Sequence, residues 1–476
     1  MAKGEARTRQ AVELPVHVDV GGSAAAAIGE RAGLLPSEID ALEPRLREAI
    51  TRLEDERAEG RRPFLELAEQ RGDLDAVLAQ VQRFRGEVDW CVVVGGDGSA
   101  AGNRLLADAL IDCPGEPGDG RVGLLILDSA EPRAVQSVLD RVDLGRTVVH
   151  VISRASESLE TLAAFLVLRD HLVRELGAVE YVDHLLVTTD ADAGPLRQLI
   201  HDEGLHGLDF PAGVSGHQAA TSPIHLFGAA LAGVDVEAFL SGVRAMDAQC
   251  RTPEVSQNPA AMLAANHYLL ATLHGMQIEI LQHYSDRLGG FAQWWRQFWA
   301  PTLGKRHEGE FSSMSMGTTP VVARGTVDNH TQLQLYLDGP TDKLVTFLRV
   351  VDEGPQLEIP RSLADFDDIA FLGGRGLGEM VSLQQKAVEW AMMRAGRPSV
   401  SIELADLAPE TLGRMVRLFE VTGLLCASLH DVDPQARPAV EATRRMTLAA
   451  LGRPGFEDEA QALRRWLEER GEEIPS

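Results

Sequence analysis

Positive charge is in short supply in this 476-residue chain, whose formal net charge is -26 and whose pI is near 4.9. A protein that grips a phosphate backbone must bring clustered Lys and Arg to it, so a nucleic-acid partner is excluded. The acidic excess keeps a protein soluble and by itself names no partner. Cysteine is scarce as well. Cys91, Cys113, Cys250 and Cys426 stand far apart, with no C-x-x-C pair and no nearby His at metal-ligand spacing, so a metal site and a cofactor bound through one are not expected. Free, mostly buried thiols suit a reducing compartment. The opening stretch MAKGEARTRQAVELP has no apolar core of the kind a signal peptide carries, and no apolar run approaches the ~20 residues that a membrane span needs. The expected location is the cytoplasm, away from membranes. No repeat of fixed short period and no low-complexity segment is visible.

What the chain does have is length and apolar content. At 476 residues and 45% hydrophobic it is long enough for two or three domains with real cores. From about residue 88, short apolar runs alternate with helix-like stretches: VDWCVVV, RVGLLIL, TVVHVIS and HLLVTT. Runs that are apolar throughout are the mark of strands buried on both faces, so a parallel sheet with helices on each side is expected. Such sheets bind ligands at the carboxyl ends of their strands. That singles out GGDGSAAG at 95–102 and SRASESLET at 153–161. A second α/β unit follows the helical segment NPAAMLAANHYLLATLHGMQIEILQHYS, with DKLVTFLRVVD and PSVSIELAD as strands and LGEMVSLQQKAVEWAMMRAG as the amphipathic helix between them. Residues 36–82 and 456–472 are charged and helical by pattern.

Several long blocks, GAALAGVDVEAFLSGVRAMD, EILQHYSDRLGGFAQWWRQFWAPTLGK, GTVDNHTQLQLYLDGPTDKLVTF and FLGGRGLGEMVSLQQKAVEWAMMRAGRPSVSIEL, stand in one order. In that order and spacing the chain resembles the bacterial branch of the phosphoglucose (glucose-6-phosphate) isomerase family from about residue 88 to about 445. The resemblance implies an α/β fold of two sugar-isomerase domains, each a parallel sheet flanked by helices. Residues 1–82 would be an N-terminal helical segment, 83–213 the first domain, 214–440 the second and 441–476 a C-terminal helical segment. It also implies a homodimer and a small sugar phosphate as ligand. The family interconverts glucose 6-phosphate and fructose 6-phosphate. That chemistry needs a loop at a helix N-terminus for the phosphate, a His to open the ring, a Glu to carry the proton between C1 and C2, and an Arg beside the enediolate.

Each role maps onto a position here, and most positions have changed. The glycine loop that resembles G-I-G-G-S is Gly95, Gly96, Asp97, Gly98 and Ser99; its glycines either bring backbone close to a ligand or serve a tight turn. The phosphate loop resembling S-K-S-G-T-T-x-E-T runs from Ser153 to Thr161, where Ser153, Ser156 and Ser158 keep hydroxyls and Arg154 keeps a cation with a fork suited to phosphate. Glu157 stands against binding if it faces inward, because two such charges ~6 Å apart cost about 3 kcal/mol at an effective dielectric near 20. An N-capping Ser before a helix explains the same loop without a ligand. Where G-G-R-F-S would place the Arg, the chain reads Ser215, Gly216, His217, Gln218 and Ala219. His217 has a shorter reach and no fixed charge, and it also reads as an ordinary loop His. The base position of W-A-E-S-L-G-K is Pro301. Proline carries no titratable group, lacks an N–H, and is expected to push Ala300 out of helical geometry. Glu308 and Glu310 follow, as a relocated base or as solvated loop charges. The ring-opening His is kept as His330 in DNHTQ, and the family's Lys is matched by Arg444, which cannot exchange a proton.

With base, Arg and Lys all replaced, the expected function is a family member that binds a sugar phosphate with isomerase activity lost or strongly reduced. Two alternatives stay open: an active isomerase whose base has moved to Glu308 or Glu310, and a non-catalytic scaffold or regulatory partner with a vestigial pocket.

Overall fold

Alternation of side chains along the strands sets the layering of the molecule. The computed structural model describes residues 15–472 apart from 97, 113–114, 119, 155–157, 310–311, 353, 364 and 437. The strands are β1 Val16–Asp19, β2 Trp90–Val94, β3 Gly123–Leu127, β4 Thr147–Ile152, β5 Leu185–Thr189, β6 His206–Asp209, β7 Ile278–His283, β8 Lys305–Gly309, β9 Ser312–Met316, β10 Thr319–Arg324, β11 Lys343–Val350 and β12 Ser399–Leu404. Five form an all-parallel sheet in the order β3-β2-β4-β5-β6. A second five-stranded sheet runs β1-β12-β11-β7-β10, parallel except for β1, which joins its edge antiparallel to β12. β8 and β9 pair as a separate antiparallel ribbon.

Every residue of β2 and β4 is buried, and successive residues point to opposite faces. Val92, Val94, Val149 and Val151 therefore meet Val135, Phe165, Leu168 and Leu172 in a cluster on one face of the first sheet. Cys91, Val93, Val148 and Ile152 belong to the central cluster, together with Leu105, Phe227 and the aromatic residues Trp294, Trp295 and Phe298. The second sheet divides in the same way. Leu344 and Leu348 join the central cluster, whereas Val345 and Phe347 face a smaller one with Ile280, Tyr284, Val388 and Met392. One large core thus lies between the two sheets, with a satellite core outside each. Burying an aliphatic or aromatic side chain of this size contributes about 1.5–3 kcal/mol, so the central cluster dominates the stability.

Four sequence-read strands in the first half and two in the second appear as β2 to β5, β11 and β12, and the amphipathic helix between the last two is Leu377–Arg394. One reading needs correction. The segment expected to be continuously helical from Asn258 divides into a helix, Pro259–Leu273, and the strand β7, which lies inside the second sheet between β11 and β10. Gly275, at φ +71, breaks the helix in a backbone conformation that only glycine adopts without strain.

The helix Pro409–Leu429 runs buried through the central core and carries two charged residues with no exposure, Arg417 and Glu420. Arg417 Nη1 lies 3.1 Å from Asp247 Oδ1 and its Nε 3.3 Å from Glu420 Oε2, while Nη2 donates to the carbonyl of Leu65 at 3.0 Å. Asp247 also receives Arg57 Nη2 at 2.5 Å, which ties the helix Pro36–Ala58 to the core. Burial opposes the ionisation of Asp247, but Arg417 and Arg57 outweigh it and hold the carboxyl below its ordinary range. For Glu420 burial wins over Arg417, and its carboxyl is pushed up to about 7. Residues 433–472 form a separate helical unit with the helices Pro438–Ala450 and Glu457–Glu468, joined by an Arg445–Glu459 ion pair.

Candidate functional site

The first sheet reverses its strand order between β2 and β4, the point at which an open α/β sheet leaves a crevice at the carboxyl ends of its strands. Three segments converge there. β2 leads through Gly95 and Gly96 to the helix Gly98–Leu110; β4 leads through Ser153 and Arg154 to the helix Leu159–Leu176; and residues 214–218 arrive after β6.

These segments are welded together by backbone. A Cβ placed on Gly98 would lie 2.0 Å from the amide nitrogen of His217 and 2.4 Å from the carbonyl carbon of Gly216. No side chain fits in that space, so the glycine loop and the 215–218 turn touch only because residue 98 has none. On the other side the Gly96 N–H donates to Thr161 Oγ1 at 2.8 Å, and that hydroxyl donates to Ser158 Oγ at 2.9 Å. Ser158 is the N-cap of the helix Leu159–Leu176 and accepts from the Thr161 N–H at 3.4 Å. Ser153 is buried, its N–H donates to the Thr188 carbonyl at 3.1 Å, and its hydroxyl has no hydrogen-bond partner among the described residues.

Arg154 points along the neighbouring strand ends. Its Nε donates to Asp190 Oδ1 at 3.2 Å, its Nη1 donates to the Val214 carbonyl at 3.1 Å, and its guanidinium lies 5.3 Å from the Phe210 ring centre. It forms one wall of a groove of about 790 Å³ that also carries Asp73, Asp190, Asp192 and Asp209. His217 is 5% exposed. Ser215 gives its proton to Gln218 Oε1 at 2.9 Å and shares a 3.3 Å hydrogen bond with His217 Nε2.

The helix Gly289–Leu303 reaches this loop directly. Trp294 Nε1 donates to the His217 carbonyl at 3.2 Å, and the Phe298 ring stands 6.4 Å from the His217 ring. Pro301 follows Phe298 by three residues and so lies on the same helix face, one turn further on. The expected departure of Ala300 from helical geometry does not occur. The helix continues through Pro301 to Leu303, and the Gly304 N–H closes on the Ala300 carbonyl at 2.8 Å; with the proline in the last turn, the bond it lacks is a single one near the frayed end.

The switch point therefore gathers Gly98, Ser99, Ser153, Arg154, Ser158, Gly216 and His217. Ser156, Glu157, Asp97 and Glu310 lie outside the described residues, and only the backbone of Glu308, on β8, is described. His330 is elsewhere, exposed in a short turn after β10 at the carboxyl edge of the second sheet. That turn is pinned from below: Asn329 Oδ1 accepts from Gln282 Nε2 at 2.8 Å and from the Tyr284 hydroxyl at 3.1 Å. Arg444 belongs to the C-terminal helical unit and pairs with Glu441 at 2.8 Å. Sequence reasoning missed Asp190, Phe210 and Phe298. The first of these was within reach, because it follows the run HLLVTT at a strand's carboxyl end. No group of His, Cys, Asp or Glu among the described residues is arranged to hold a metal ion, and no described helix is long and apolar enough to cross a membrane.

The profile of the phosphoglucose isomerase family matches residues 81–451. The chain belongs to the phosphoglucose isomerase family. Among its relatives in that family, the glucose-6-phosphate isomerase of Rubrobacter xylanophilus is 35% identical over 432 residues, which cover 89% of this chain and 96% of the relative. That of Carboxydothermus hydrogenoformans is 30% identical, with 89% and 92% covered. The crystal structure of a hypothetical protein from Thermus thermophilus superposes with a TM-score of 0.79 at 28% identity, covering 92% of this chain and 99% of the other. A glucose-6-phosphate isomerase from Chlamydia trachomatis superposes with a TM-score of 0.78 at 18% identity, over 92% of this chain and 90% of the other, a likeness of fold alone. This phosphoglucose isomerase family member thus has the α/β architecture of paired parallel sheets that its sequence led one to expect.

Proposed function

We propose that this family member binds a sugar phosphate at the first-sheet switch point and has lost most or all of its isomerase activity. The observation that carries the reading is Pro301, at the position that resemblance gives to the proton-carrying Glu, on a helix packed against the His217 loop. A proline moves no proton, and loss of a general base costs typically 10²–10⁴-fold. His217 stands where the enediolate would need an Arg, and loss of one preorganised charge there costs about another 10²–10³-fold, although the two losses need not multiply. Binding is supported by the buried Ser153 hydroxyl, unpartnered among the described residues, beside the capped helix Leu159–Leu176, since helix N-termini and available hydroxyls favour anions.

The working unit in this reading is a homodimer in the cytoplasm. The strongly exposed apolar residues Phe366, Phe371 and Trp390, at 60, 65 and 61%, support an interface, because large exposed apolar side chains grouped along one stretch mark association surfaces. A coupled isomerase assay together with a thermal-shift titration with fructose 6-phosphate tests the proposal. Stabilisation by the ligand without turnover is expected, whereas turnover at an ordinary family rate, or no response to the ligand, contradicts it.

A further inference from the structure

Parallel strands bring their entry segments together as surely as their exits. In the first sheet Trp90 of β2 stands opposite both Gly123 of β3 and Thr147 of β4, so the segments that enter these strands meet at the amino edge, about 15 Å of strand away from the switch point. Three arginines stand there: Arg85 just after the helix Arg71–Phe84, Arg121 two residues before β3, and Arg146 one residue before β4. They line a groove of about 600 Å³ whose floor includes the buried side chains of Val122 and Leu231.

Register accounts for one of the three. Asp89 and Arg146 each precede the paired residues Trp90 and Thr147 by one position, and Arg146 Nε and Nη2 donate to the two Asp89 oxygens at 2.7 and 2.8 Å. Glu87 and Asp143 also act on Arg146, so its charge is matched. Arg85 and Arg121 are different. Both are exposed, and among the described residues their side chains make no ion pair and no hydrogen bond. Neither is needed to close the helix that ends at the groove floor, Pro223–Leu231, because the N–H groups of Ala232, Gly233 and Val234 donate to its last carbonyls at 3.0, 3.1 and 2.9 Å. Arg85 also sits at the C-terminus of its own helix, where a cation is favoured, but it gives none of its five N–H donors to that helix. Asp119, in the turn that carries Arg121, lies outside the described residues and has no part in the site.

The geometry points to a second anion site at this edge of the sheet: Arg85 and Arg121 take the phosphate of a small phosphate ester, and the apolar or aromatic body of the ester lies over Val122 and Leu231. Guanidinium forks match phosphate oxygens, and an apolar floor with a few converging charged groups in a groove of this size is the usual form of a small-molecule site. None of these residues belongs to the switch point, so the site stands apart from the sugar-phosphate reading above.

Phenyl phosphate and inorganic phosphate are the probes. Each is titrated calorimetrically into the full-length chain, Arg85→Gln, Arg121→Gln and the switch-point control Arg154→Gln at an ionic strength of about 0.02 M, where screening is weak. Circular dichroism and the unfolding midpoint check folding, and the two groove arginines serve as independent variants. The natural chain is expected to bind phenyl phosphate about 10-fold more tightly than inorganic phosphate, since only the ester covers the apolar floor. Arg85→Gln and Arg121→Gln are each expected to weaken phenyl phosphate binding about 10-fold, the lower end for a hydrogen bond between charged groups, and Arg154→Gln less than about twofold. Binding that is unchanged in both groove variants, or that is lost in Arg154→Gln, puts the ligand elsewhere and overturns the inference. Inorganic phosphate binding as tightly as phenyl phosphate overturns the assignment of an ester, and a natural chain that binds neither probe overturns the site itself.

Discussion

Replacing Glu420 with Gln removes a titrating proton while keeping the size of a side chain that has no exposure. The folded-state pKa of about 7 stands against an ordinary value of 4.5, a separation worth about 3.5 kcal/mol. Its folded pKa is raised, so the stability that Glu420 contributes is fully present below the unfolded value and is lost as pH rises through the folded one. The window is therefore from about pH 4.5 to about pH 7. Near pH 4.5 the natural chain and Glu420→Gln should be alike, both neutral at this position. By pH 7.5 the natural chain carries a buried carboxylate that Arg417 satisfies only in part, and the variant should be the more stable by about 3 kcal/mol. Urea unfolding of both proteins at half-unit steps from pH 5 to 8 measures this, since every other titrating group cancels in the difference. A difference that does not vary with pH would refute the reasoning. A variant that loses stability as pH rises would show instead that the Glu420–Arg417 pair is ionised and net favourable in the folded chain.

Three further outcomes follow from named contacts. Gly98→Ala sets a methyl group about 2 Å from a backbone amide that cannot swing aside, and should cost at least about 1–3 kcal/mol, read as a lower midpoint in urea together with weaker fructose 6-phosphate binding. Sedimentation at micromolar concentration should show a dimer, and Phe371→Glu with Trp390→Glu should yield monomer; a monomeric natural chain would contradict the assembly proposal. Pro301→Glu alone should recover little isomerase activity, because the Arg position is still His217, and a measurable gain should need His217→Arg and Glu157→Thr as well. Full recovery by the single change would show that the remaining site is intact.

The parts of the fold legible in the sequence were those whose pattern has one physical meaning. A short, Val-rich run bounded by a glycine turn, such as WCVVV before GG, reads as a strand buried on both faces, and β2, β4 and β5 were read that way. β7 was not. Its residues IEILQH follow an Ala- and Leu-rich helix with only a short connection around Gly275, and apolar content alone does not separate a buried helix from a buried strand. β1 and β6, four residues each, are too short to impose a period. At the candidate site the glycine and serine loops could be placed, because chemistry at strand ends leaves local marks. The contacts of Arg154 with Asp190, Val214 and Phe210 join positions 36 to 60 residues apart, and only the order of strands in the sheet brings them together.

The measurement nearest to the central claim is the rate at which the purified chain converts fructose 6-phosphate to glucose 6-phosphate in a dehydrogenase-coupled assay, under conditions where calorimetry shows the ligand bound. A rate at least about 10⁴-fold below that of an ordinary family member is expected if, as proposed, Pro301 of the helix Gly289–Leu303 takes the place of the proton carrier. An ordinary rate that collapses in Glu308→Gln or Glu310→Gln would contradict the account and establish a relocated base.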